Sequence, residues 1–325
     1  MAELVAFGEA LIDFLGQAPA AEGPTPYLRY AGGAPANVAV AAARLGSSAA
    51  FVGMLSRDAF GDFLLQSLAD AGVSTGYVVR TSEANTALAF VTLDDTGDRR
   101  FSFYRPPAAD LLFRPEHFKA ECFAAAKVFH VCSNSLTEAD IAATTLEGVR
   151  RARAAGALVS FDLNLRPSLW SDDVDPRPRV WSILKEADLV KLSAVELRFL
   201  AQGAGGEPEA MAEILRGRTQ WLLITDGAAP VRQLTRRGED ESPVFPLKAV
   251  NTTGAGDAFI AGVLNRLLHL KVGVAELPAF LADAREMNRV LRFAAACGAL
   301  AVTHHGSFEA MPDLTEVESF LKAHP

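Results

Sequence analysis

The sequence is poor in cysteine, in long apolar runs and in basic residues, and each shortage excludes a class of protein. Its three cysteines, at positions 122, 132 and 297, show no CxxC spacing, so a disulfide framework is not expected. No apolar run approaches the ~18 residues that a membrane-spanning helix needs. Lys and Arg total 31 against 39 Asp and Glu, a formal net charge of −8 without basic clusters, which suits nucleic acid poorly. We therefore expect a cytoplasmic protein that has neither membrane nor nucleic acid as a partner.

Several common motifs of nucleotide and metal enzymes are also missing. The chain has no GxxxxGK[ST] loop and no GxGxxG after its first strand, which argues against a P-loop enzyme and a Rossmann dinucleotide site. It has no HExxH, and its six histidines form no ligand pattern, so His304 and His305 are expected in a loop rather than on a metal. The first residues, MAELVAFGE, carry an early acid and no basic region, and therefore predict a first strand rather than a signal peptide.

What the chain does contain is an alternation of short apolar runs with helix-prone segments. Its 325 residues allow one large α/β domain, or a core with a smaller appendage. Strands are predicted at 4–7, 49–54, 127–131, 158–162, 189–192 and 221–225, and helices at 36–45, 60–71, 138–155, 179–186, 195–202 and 208–216. A charged, proline-bounded turn is predicted at 238–246, within a C-terminal third that is otherwise mostly helical. The alternation favours parallel βαβ units.

The alternation breaks at residues 86–104. Residues 87–93 and 99–104 suit two strands, and residues 94–98, DDTGD, suit the turn between them. A β-hairpin inside an α/β chain is a candidate lid. We expect it to pair with the proline-containing segment 13–30.

Residues 252–259, TTGAGDAF, carry the strongest functional signal. Gly254 and Gly256 lack the Cβ atoms that would keep a ligand away from the backbone, and the small and apolar residues that follow predict a helix. If the helix begins in this turn, unpaired N–H groups and the positive end of the helix dipole form a site suited to a phosphate. Asp257 would then lie near the group that the phosphate approaches. The alternative is an ordinary helix N-terminus in which Asp257 is a favourable first-turn charge.

A second segment, residues 32–37 with the sequence GGAPAN, opens the predicted helix 36–45. Consecutive glycines, Gly32 and Gly33, allow close backbone approach, and Asn37 would face the same opening. Together with Asp13, an acid soon after the first strand, the segment predicts a set of hydroxyl-binding groups, because carboxylates and amides pair well with sugar hydroxyls. The alternative is a plain turn from loop to helix.

A third segment, residues 161–170 with the sequence FDLNLRPSLW, starts at the carboxyl end of a predicted strand, where ligands bind in open α/β sheets. It places an acid, an amide and an arginine, Asp162, Asn164 and Arg166, within five residues. Arg105, after the hairpin, is a second arginine that could reach a sugar or a phosphate. The alternatives are a polar turn covered by Trp170 and a solvated surface arginine.

In their order along the chain, from residue 8 to residue 312, these motifs resemble the ribokinase-like (PfkB) family of carbohydrate kinases. Residues 32–39 resemble the N-terminal signature of the family, residues 251–257 its C-terminal signature, and residues 301–306 the segment that closes the nucleotide site. Within the family, residues 162–170 and 104–110 are most similar to fructokinases.

The resemblance implies a fold and an assembly. The fold would be a three-layer αβα ribokinase-like domain of class α/β, spanning residues 1–325, with a mainly parallel central sheet. A small β-sheet lid, formed by about 13–31 and 86–105, would exclude water from the site. Homodimers formed through the lid are common in the family, so a homodimer is implied.

The resemblance also implies catalytic and sugar-binding roles. Asp257 would be the general base that takes a proton from the sugar hydroxyl. Backbone N–H groups of Gly254, Ala255 and Gly256 would stabilise the charge on the transferring phosphoryl group. The sugar would be held by Asp13, Gly32, Gly33 and Asn37, with Asp162 and Asn164 beside them, and Arg105 and Arg166 would lie on its phosphate-accepting side.

Nucleotide and ion ligands are implied as well. ATP would contact Ser193, Thr225 and Gly227, and Glu196 would organise Mg²⁺ through water. A monovalent cation such as K⁺ would be held by Asn251, Thr253, Ala301, His304 and Gly306.

Two departures from the family pattern bear on these sites. Asn251 replaces the usual Asp and keeps an oxygen but loses a charge, which weakens the expected K⁺ activation. In the nucleotide turn, Asp226 stands where an apolar residue is common, and Pro230 where glycine is common. Because Pro removes an N–H group, nucleotide affinity or base preference is expected to differ.

The resulting hypothesis is an ATP-dependent sugar kinase that converts D-fructose to fructose 6-phosphate by in-line phosphoryl transfer. One alternative is a 2-keto-3-deoxygluconate kinase, whose acidic substrate would also pair with arginines. A second alternative is a protein that binds sugar or nucleotide without catalysis. The intact segment from Gly254 to Asp257 argues against that reading.

Overall fold

The computed structural model describes residues 2–17, 24–93 and 99–325. Its strands are β1 (Leu4–Phe7), β2 (Leu11–Gly16), β3 (Tyr27–Gly32), β4 (Ala49–Ser56), β5 (Ser74–Thr81), β6 (Leu88–Leu93), β7 (Arg99–Tyr104), β8 (Val128–Cys132), β9 (Leu158–Asp162), β10 (Leu189–Ser193), β11 (Trp221–Asp226), β12 (Ala229–Thr235) and β13 (Gly238–Ser242). Each strand predicted from the apolar runs is present, with bounds that agree within two residues.

Helices occupy the connections between the strands. They are α1 (Ala34–Arg44), α2 (Ala59–Asp70), α3 (Glu121–Ala124), α4 (Ala139–Ala154), α5 (Arg177–Leu184), α6 (Ala194–Ala204), α7 (Glu207–Arg216), α8 (Ala255–His269), α9 (Leu277–Phe280), α10 (Ala284–Ala301) and α11 (Leu314–Ala323). The predicted helices agree with these bounds within two residues. The last four account for the mostly helical C-terminal third.

Within the described ranges, nine strands form the main sheet in the order β13-β12-β11-β10-β9-β8-β1-β4-β5. The seven strands from β11 to β5 run parallel, and β12 and β13 extend the sheet as antiparallel strands. This arrangement confirms the expected mainly parallel α/β sheet. It also brings the carboxyl ends of β1, β9, β10 and β11 to one edge.

A second, smaller sheet has the order β3-β2-β6-β7 over the residues that the structure covers. The hairpin β6–β7 pairs with β2 through β6, with Asp13 opposite Ala89. The predicted pairing between the hairpin and the segment 13–30 is therefore present. The predicted turn at 94–98 lies outside the described residues.

The main sheet is covered on both faces by helices. Residues alternate along each central strand, so that Leu4 and Ala6 of β1 face one apolar cluster and Val5 and Phe7 face the other. Residues from α1, α2, α8, α10 and α11 fill the first cluster, and residues from α3 to α7 fill the second. Helix α8 packs in the first cluster and is buried along most of its length, which fixes the position of its first turn against the sheet edge.

Two sequence expectations about the strands were wrong or incomplete. The charged segment predicted as a turn at 238–246 contains strand β13, which pairs residue by residue with β12. Its sequence GEDES is mostly exposed, so it lacks the apolar run that identifies a buried strand. The edge strand β5 and the antiparallel strand β12 were not predicted for the same reason, since both are only partly buried.

None of the helices in the described ranges is long and apolar enough to cross a membrane.

Candidate functional site

Helix α8 begins in a turn whose two glycines have close neighbours. Gly254 precedes it with a φ of 80°, a backbone conformation that favours glycine. A Cβ atom at Gly254 would lie 2.7 Å from Cε of Met311, and one at Gly256 would lie 2.7 Å from Nζ of Lys191. Because the first N–H groups of a helix have no partner within it, this turn can bind an anion with its backbone.

Asp257 projects from the first turn of α8 and is buried. Its Oδ2 accepts a hydrogen bond of 2.8 Å from Nδ2 of Asn37. Burial and then the nearby charge of Asp162 raise the pKa of Asp257 to about 7, against the opposing effects of Asn37, Lys191 and Arg166. A carboxylate with a pKa near neutrality suits a general base at physiological pH.

Beside Asp257, the ends of β9 and β10 hold a buried ion pair. Nζ of Lys191 lies 3.0 Å from Oδ2 of Asp162, and both side chains are almost fully buried. Burial lowers the pKa of Lys191, but the attraction of Asp162, Glu196 and Asp257 outweighs it and raises the pKa. Lys191 therefore carries a positive charge at the anion turn. The sequence analysis did not identify Lys191, although a lysine inside the apolar strand LVKLS was an available signal, because lysine is rarely buried without a partner.

The segment after β9 brings its other polar groups to the same place. Asn164 has a φ of 39°, a left-handed conformation that asparagine tolerates better than most residues. Arg166 is partly buried, and its charge lowers the pKa of both Asp13 and Asp257. One Arg166 guanidinium nitrogen donates to the carbonyl oxygen of Leu165 at 3.2 Å.

Asp13, on β2, approaches from the small sheet. Its Oδ2 accepts a hydrogen bond of 2.8 Å from Oγ of Ser307. A Cβ atom at Gly32 would lie 2.3 Å from the same oxygen, so a larger residue there would displace the Asp13 carboxylate. Burial raises the pKa of Asp13 to about 6, and the Ser307 hydrogen bond and the charge of Arg166 oppose this. Ser307 lies 294 positions from Asp13 in the sequence, and no local sequence pattern predicts that the two residues meet.

These groups line one cavity of about 540 Å³, which we call the polar cleft. Its lining residues are Leu11, Asp13, Gly33, Ala34, Asn37, Phe103, Asn134, Asn164, Arg166, Lys191, Ser193, Glu196, Thr225, Thr252, Thr253, Gly254, Gly256 and Asp257. Most of the residues expected to bind sugar are thus brought together. Asp162 lies beside the cleft in its ion pair with Lys191, and Gly32 lies behind Asp13.

Arg105, expected as a substrate ligand, is placed differently. Its side chain is 2% exposed and is not among the residues that line the polar cleft. Its guanidinium forms a salt bridge of 2.5 Å with Asp110 and donates to Oγ1 of Thr137 at 3.3 Å. Arg105 is therefore engaged inside the protein, close enough to Glu9 that each side chain shifts the pKa of the other.

A second cavity of about 370 Å³ adjoins the first, and we call it the apolar cleft. Its lining residues are Thr225, Asp226, Gly227, Ala228, Ala229, Val231, Val244, Phe245, Leu247, Ala249, Thr252, Ala255, Gly256, Phe259, Ala295, Gly298, Ala299 and Val302. Thr225 and Gly227 were expected at a nucleotide, whereas the apolar wall of residues 244–249 was not. The two clefts share Thr225, Thr252 and Gly256, so they meet at the anion turn.

The outer wall of the apolar cleft is held by the C-terminal helix. The ring of Phe245 packs edge-on against Phe320 of α11 with centroids 5.0 Å apart. The guanidinium of Arg292 lies 5.2 Å from the centroid of the Phe245 ring. These contacts fix a side chain that would otherwise stand on a long loop.

Glu196 is the acid expected to organise Mg²⁺, and its environment permits that role. It forms a capping box at the start of α6, in which Oε2 accepts from the Ser193 N–H at 2.7 Å. Its Oε1 accepts from the Leu165 N–H at 2.8 Å. In the described part of the chain, no group of three or more His, Cys, Asp or Glu side chains could hold a metal. A lone carboxylate such as Glu196 would hold Mg²⁺ only together with waters and phosphate oxygens.

The residues expected around a monovalent cation are only partly brought together. Asn251, Thr253 and Gly306 line a small cavity of about 10 Å³ with Asp13 and Ser307, which is close to the space of one water molecule. Ala301 ends α10, and His304 lies exposed in the bend that follows. Oδ1 of Asn251 accepts the Thr253 N–H at 2.8 Å. An ion here would have the Asp13 side chain beside it, together with amide, hydroxyl and carbonyl oxygens.

Comparison with known proteins identifies the family and the fold. A model of the pfkB family of carbohydrate kinases matches residues 1–314. Fructokinase-1 of Zea mays is 41% identical over 317 residues, which cover 97% of this chain and 96% of that protein. A crystal structure of fructokinase with bound ATP from Xylella fastidiosa is 52% identical, with a TM-score of 0.95 over 100% of this chain and 99% of that one.

A second crystal structure, less similar to this chain in sequence, contains several bound ligands. It is a double mutant of fructokinase from Vibrio cholerae O395 in a form bound to fructose, ADP and a potassium ion. It is 31% identical to this chain, with a TM-score of 0.87, and the match covers 99% of this chain and 98% of that one.

Proposed function

This chain belongs to the pfkB family of carbohydrate kinases and is an ATP-dependent sugar kinase, and we propose that it converts D-fructose to fructose 6-phosphate. The observation that carries the proposal is the position of Asp257, at the point where the polar cleft meets the anion turn shared with the apolar cleft. Relatives named fructokinase over nearly the whole chain support fructose as the sugar.

In the proposed reaction, the sugar lies in the polar cleft and ATP extends from the apolar cleft to the anion turn. The O6 hydroxyl of fructose attacks the γ-phosphorus of ATP as Asp257 takes its proton. The new O–P bond forms on one side of the phosphorus while the bond to the β,γ-bridging oxygen breaks on the other, and ADP leaves. Asn37 holds the Asp257 carboxylate in position through its 2.8 Å hydrogen bond.

Backbone N–H groups and positively charged side chains would both stabilise the negative charge of the transferring phosphoryl group. The N–H groups of Gly254, Ala255 and Gly256 are fixed by the start of α8, so no reorganisation is needed as charge develops. Lys191 adds a buried positive charge on one side, and Arg166 adds another within the polar cleft. Asp13, Gly33 and Asn164 line the remaining wall and would orient the sugar hydroxyls.

The ions would support the same step. Mg²⁺, when bound with ATP, neutralises phosphate charge, and Glu196 would hold its water ligands from the floor of the polar cleft. K⁺ would be held by oxygens of Asn251, Thr253 and their neighbours. Because Asn251 supplies no charge, we expect weak K⁺ activation.

The small sheet would act as the lid. It carries Asp13 and Phe103 into the polar cleft. Its closure would bring Asp13 to the sugar and would also exclude water from the site. Tyr27, Leu28 and Tyr104 of this sheet are exposed at 41%, 45% and 68%. Apolar side chains exposed in this way suit a homodimer formed through the lid. The three free, buried cysteines suit a cytoplasmic location.

The test is ADP release with ATP and Mg²⁺ for D-fructose, 2-keto-3-deoxygluconate, ribose, tagatose and glucose, each with and without K⁺. We expect the highest kcat/KM with D-fructose. A preference for 2-keto-3-deoxygluconate would contradict fructose and give Arg166 a carboxylate partner. Absence of turnover with every sugar would contradict the kinase mechanism.

A further inference from the structure

Glu9 is a buried carboxylate that the proposed mechanism does not use. It follows β1, is 1% exposed, and lies behind the turn of Gly33 that lines the polar cleft. A Cβ atom at Gly33 would lie 2.5 Å from the Glu9 carbonyl oxygen, so the two backbones are in close contact. Burial of an ionisable group costs free energy unless hydrogen bonds or an opposite charge compensate it.

The hydrogen bonds of Glu9 lead to the polar cleft. Its Oε1 accepts from the Ala34 N–H at 3.1 Å, at the start of α1. The same oxygen accepts from Nδ2 of Asn134 at 2.9 Å. Ala34 and Asn134 both line the polar cleft. One carboxylate oxygen thus ties together two walls that are about a hundred residues apart in sequence.

These bonds determine which end of the Asn134 amide faces the ligand. A carboxyl oxygen that already accepts an N–H can pair only with the nitrogen of the amide, because two oxygen acceptors repel. The amide oxygen is therefore turned the other way. Oδ1 of Asn134 is buried and has no hydrogen-bond partner among the described residues. A sugar hydroxyl that donates to this oxygen would supply its missing hydrogen bond.

The same arrangement occurs at the catalytic carboxylate. Nδ2 of Asn37 donates to Asp257, and Oδ1 of Asn37 is also buried without a partner in the described part of the chain. The polar cleft is thus lined by two amides, each of which donates to a carboxylate and has an oxygen without a partner among the described residues. Asp257 performs chemistry as well, whereas Glu9 lies outside the cleft lining and touches no substrate.

We propose that Glu9 is a positioning residue for the sugar, which fixes the Asn134 amide so that its oxygen accepts a substrate hydroxyl. The inference rests on the proposed sugar site. It assigns Arg105 a place as well, because burial raises the pKa of Glu9 and the nearby charge of Arg105 opposes this by favouring the carboxylate. Arg105 then supports the sugar site from behind rather than touching the sugar.

The test compares Glu9→Leu, which removes the acceptor, with Glu9→Gln, whose amide oxygen can accept the same two bonds. We expect Glu9→Leu to raise the KM for D-fructose about tenfold and to change the KM for ATP less than about twofold. Glu9→Gln should restore the fructose KM to within about threefold of the wild type. The control is Asp188→Leu, which removes a buried carboxylate that accepts the Val159 N–H far from the cleft and should leave the fructose KM unchanged.

An unchanged fructose KM in Glu9→Leu would overturn the inference, and so would an equal rise in both KM values. If Glu9→Leu does not fold, Asn134→Ala tests the same step, since a wild-type fructose KM in that variant would also overturn it. In the Asn134→Ala background, Glu9→Gln should add less than about twofold. If the wild type does not use D-fructose, the proposed substrate fails, and the ratios are measured with the preferred sugar of the panel, so the two failures are distinguishable.

Discussion

The two clefts share a wall but differ in chemistry. The polar cleft contains two carboxylates whose pKa values are raised to about 6 at Asp13 and about 7 at Asp257, together with the buried charge of Lys191. The apolar cleft is lined mainly by alanines, valines and aromatic rings. Carboxylates whose pKa values are shifted toward neutrality are common at sites of acid–base chemistry, whereas apolar pockets are common at binding sites. The difference suggests that the sugar is activated on one side and the nucleotide is only held on the other.

The largest expected effect comes from removing the base on the polar side. Asp257→Asn keeps the shape and the contact with Asn37 but cannot take a proton, so we expect kcat to fall about 10²–10⁴-fold. The affinity for D-fructose, measured by calorimetry, should change only a few-fold. Asp140→Asn, an exposed first-turn carboxylate of α4, is the matched control and should keep wild-type kcat. Near-normal turnover in Asp257→Asn would mean that another group is the base.

The shared turn can be tested with a pair of glycines in the same backbone conformation. Gly254 has a φ of 80° and Gly46 one of 90°, but only Gly254 would bring a Cβ atom close to another residue. Both Gly254→Ala and Gly46→Ala carry about 1–2 kcal/mol of backbone strain. We expect only Gly254→Ala to lower kcat, by about 10²-fold, because it distorts the anion turn. Equal losses of activity in the two variants would mean that backbone strain and lost stability, rather than the anion turn, cause the loss.

The pH dependence of activity also distinguishes the two clefts. Because the base must be ionised, the pH profile of kcat/KM for D-fructose should have an ascending limb near pH 7, the pKa of Asp257 in the ligand-free protein. The Asn37 hydrogen bond lowers that pKa, so Asn37→Ala should move the limb to higher pH. Phe245→Ala, on the apolar side, should leave the limb in place. A limb that does not move in Asn37→Ala would contradict the assignment.

The raised pKa of Asp257 also predicts a gain in stability when the charge is removed. The folded state binds this proton more tightly than the unfolded state, so it loses stability as pH rises from about 4 to about 7. At pH 8, Asp257→Asn should therefore unfold with a higher free energy than the wild type, by about 1–4 kcal/mol. At pH 4 the difference should vanish. Phe245→Ala should be destabilised at both pH values, as measured by urea unfolding.

Sequence reasoning found the parts of the site that are encoded locally. The segments 252–257 and 32–37 were identified because glycines, a helix start and a polar side chain, Asp257 or Asn37, stand within a few residues. The buried strands were found because their apolar runs are equally local. Groups whose partners are distant in sequence were missed, such as Lys191 with Asp162 and Ser307 with Asp13.

Arg105 is a residue that was predicted as a ligand but is engaged by a partner inside the protein. As a residue type it suits a phosphate or a sugar acid, and the sequence gives no hint that Asp110 would bind it internally. Similarly, Phe245 stands on an irregular segment with no periodic pattern, and only the packing of α11 places it in the apolar cleft. Side-chain roles that depend on tertiary partners were therefore not predictable from local sequence.

The most direct test of the division between the clefts is a calorimetric titration of D-fructose and of ADP into Asp13→Ala and Phe245→Ala. We expect Asp13→Ala to weaken D-fructose binding at least about tenfold and to leave ADP within about twofold. Phe245→Ala should do the reverse, because it removes apolar surface only from the nucleotide side. If both variants weaken both ligands equally, the two clefts do not bind separate substrates.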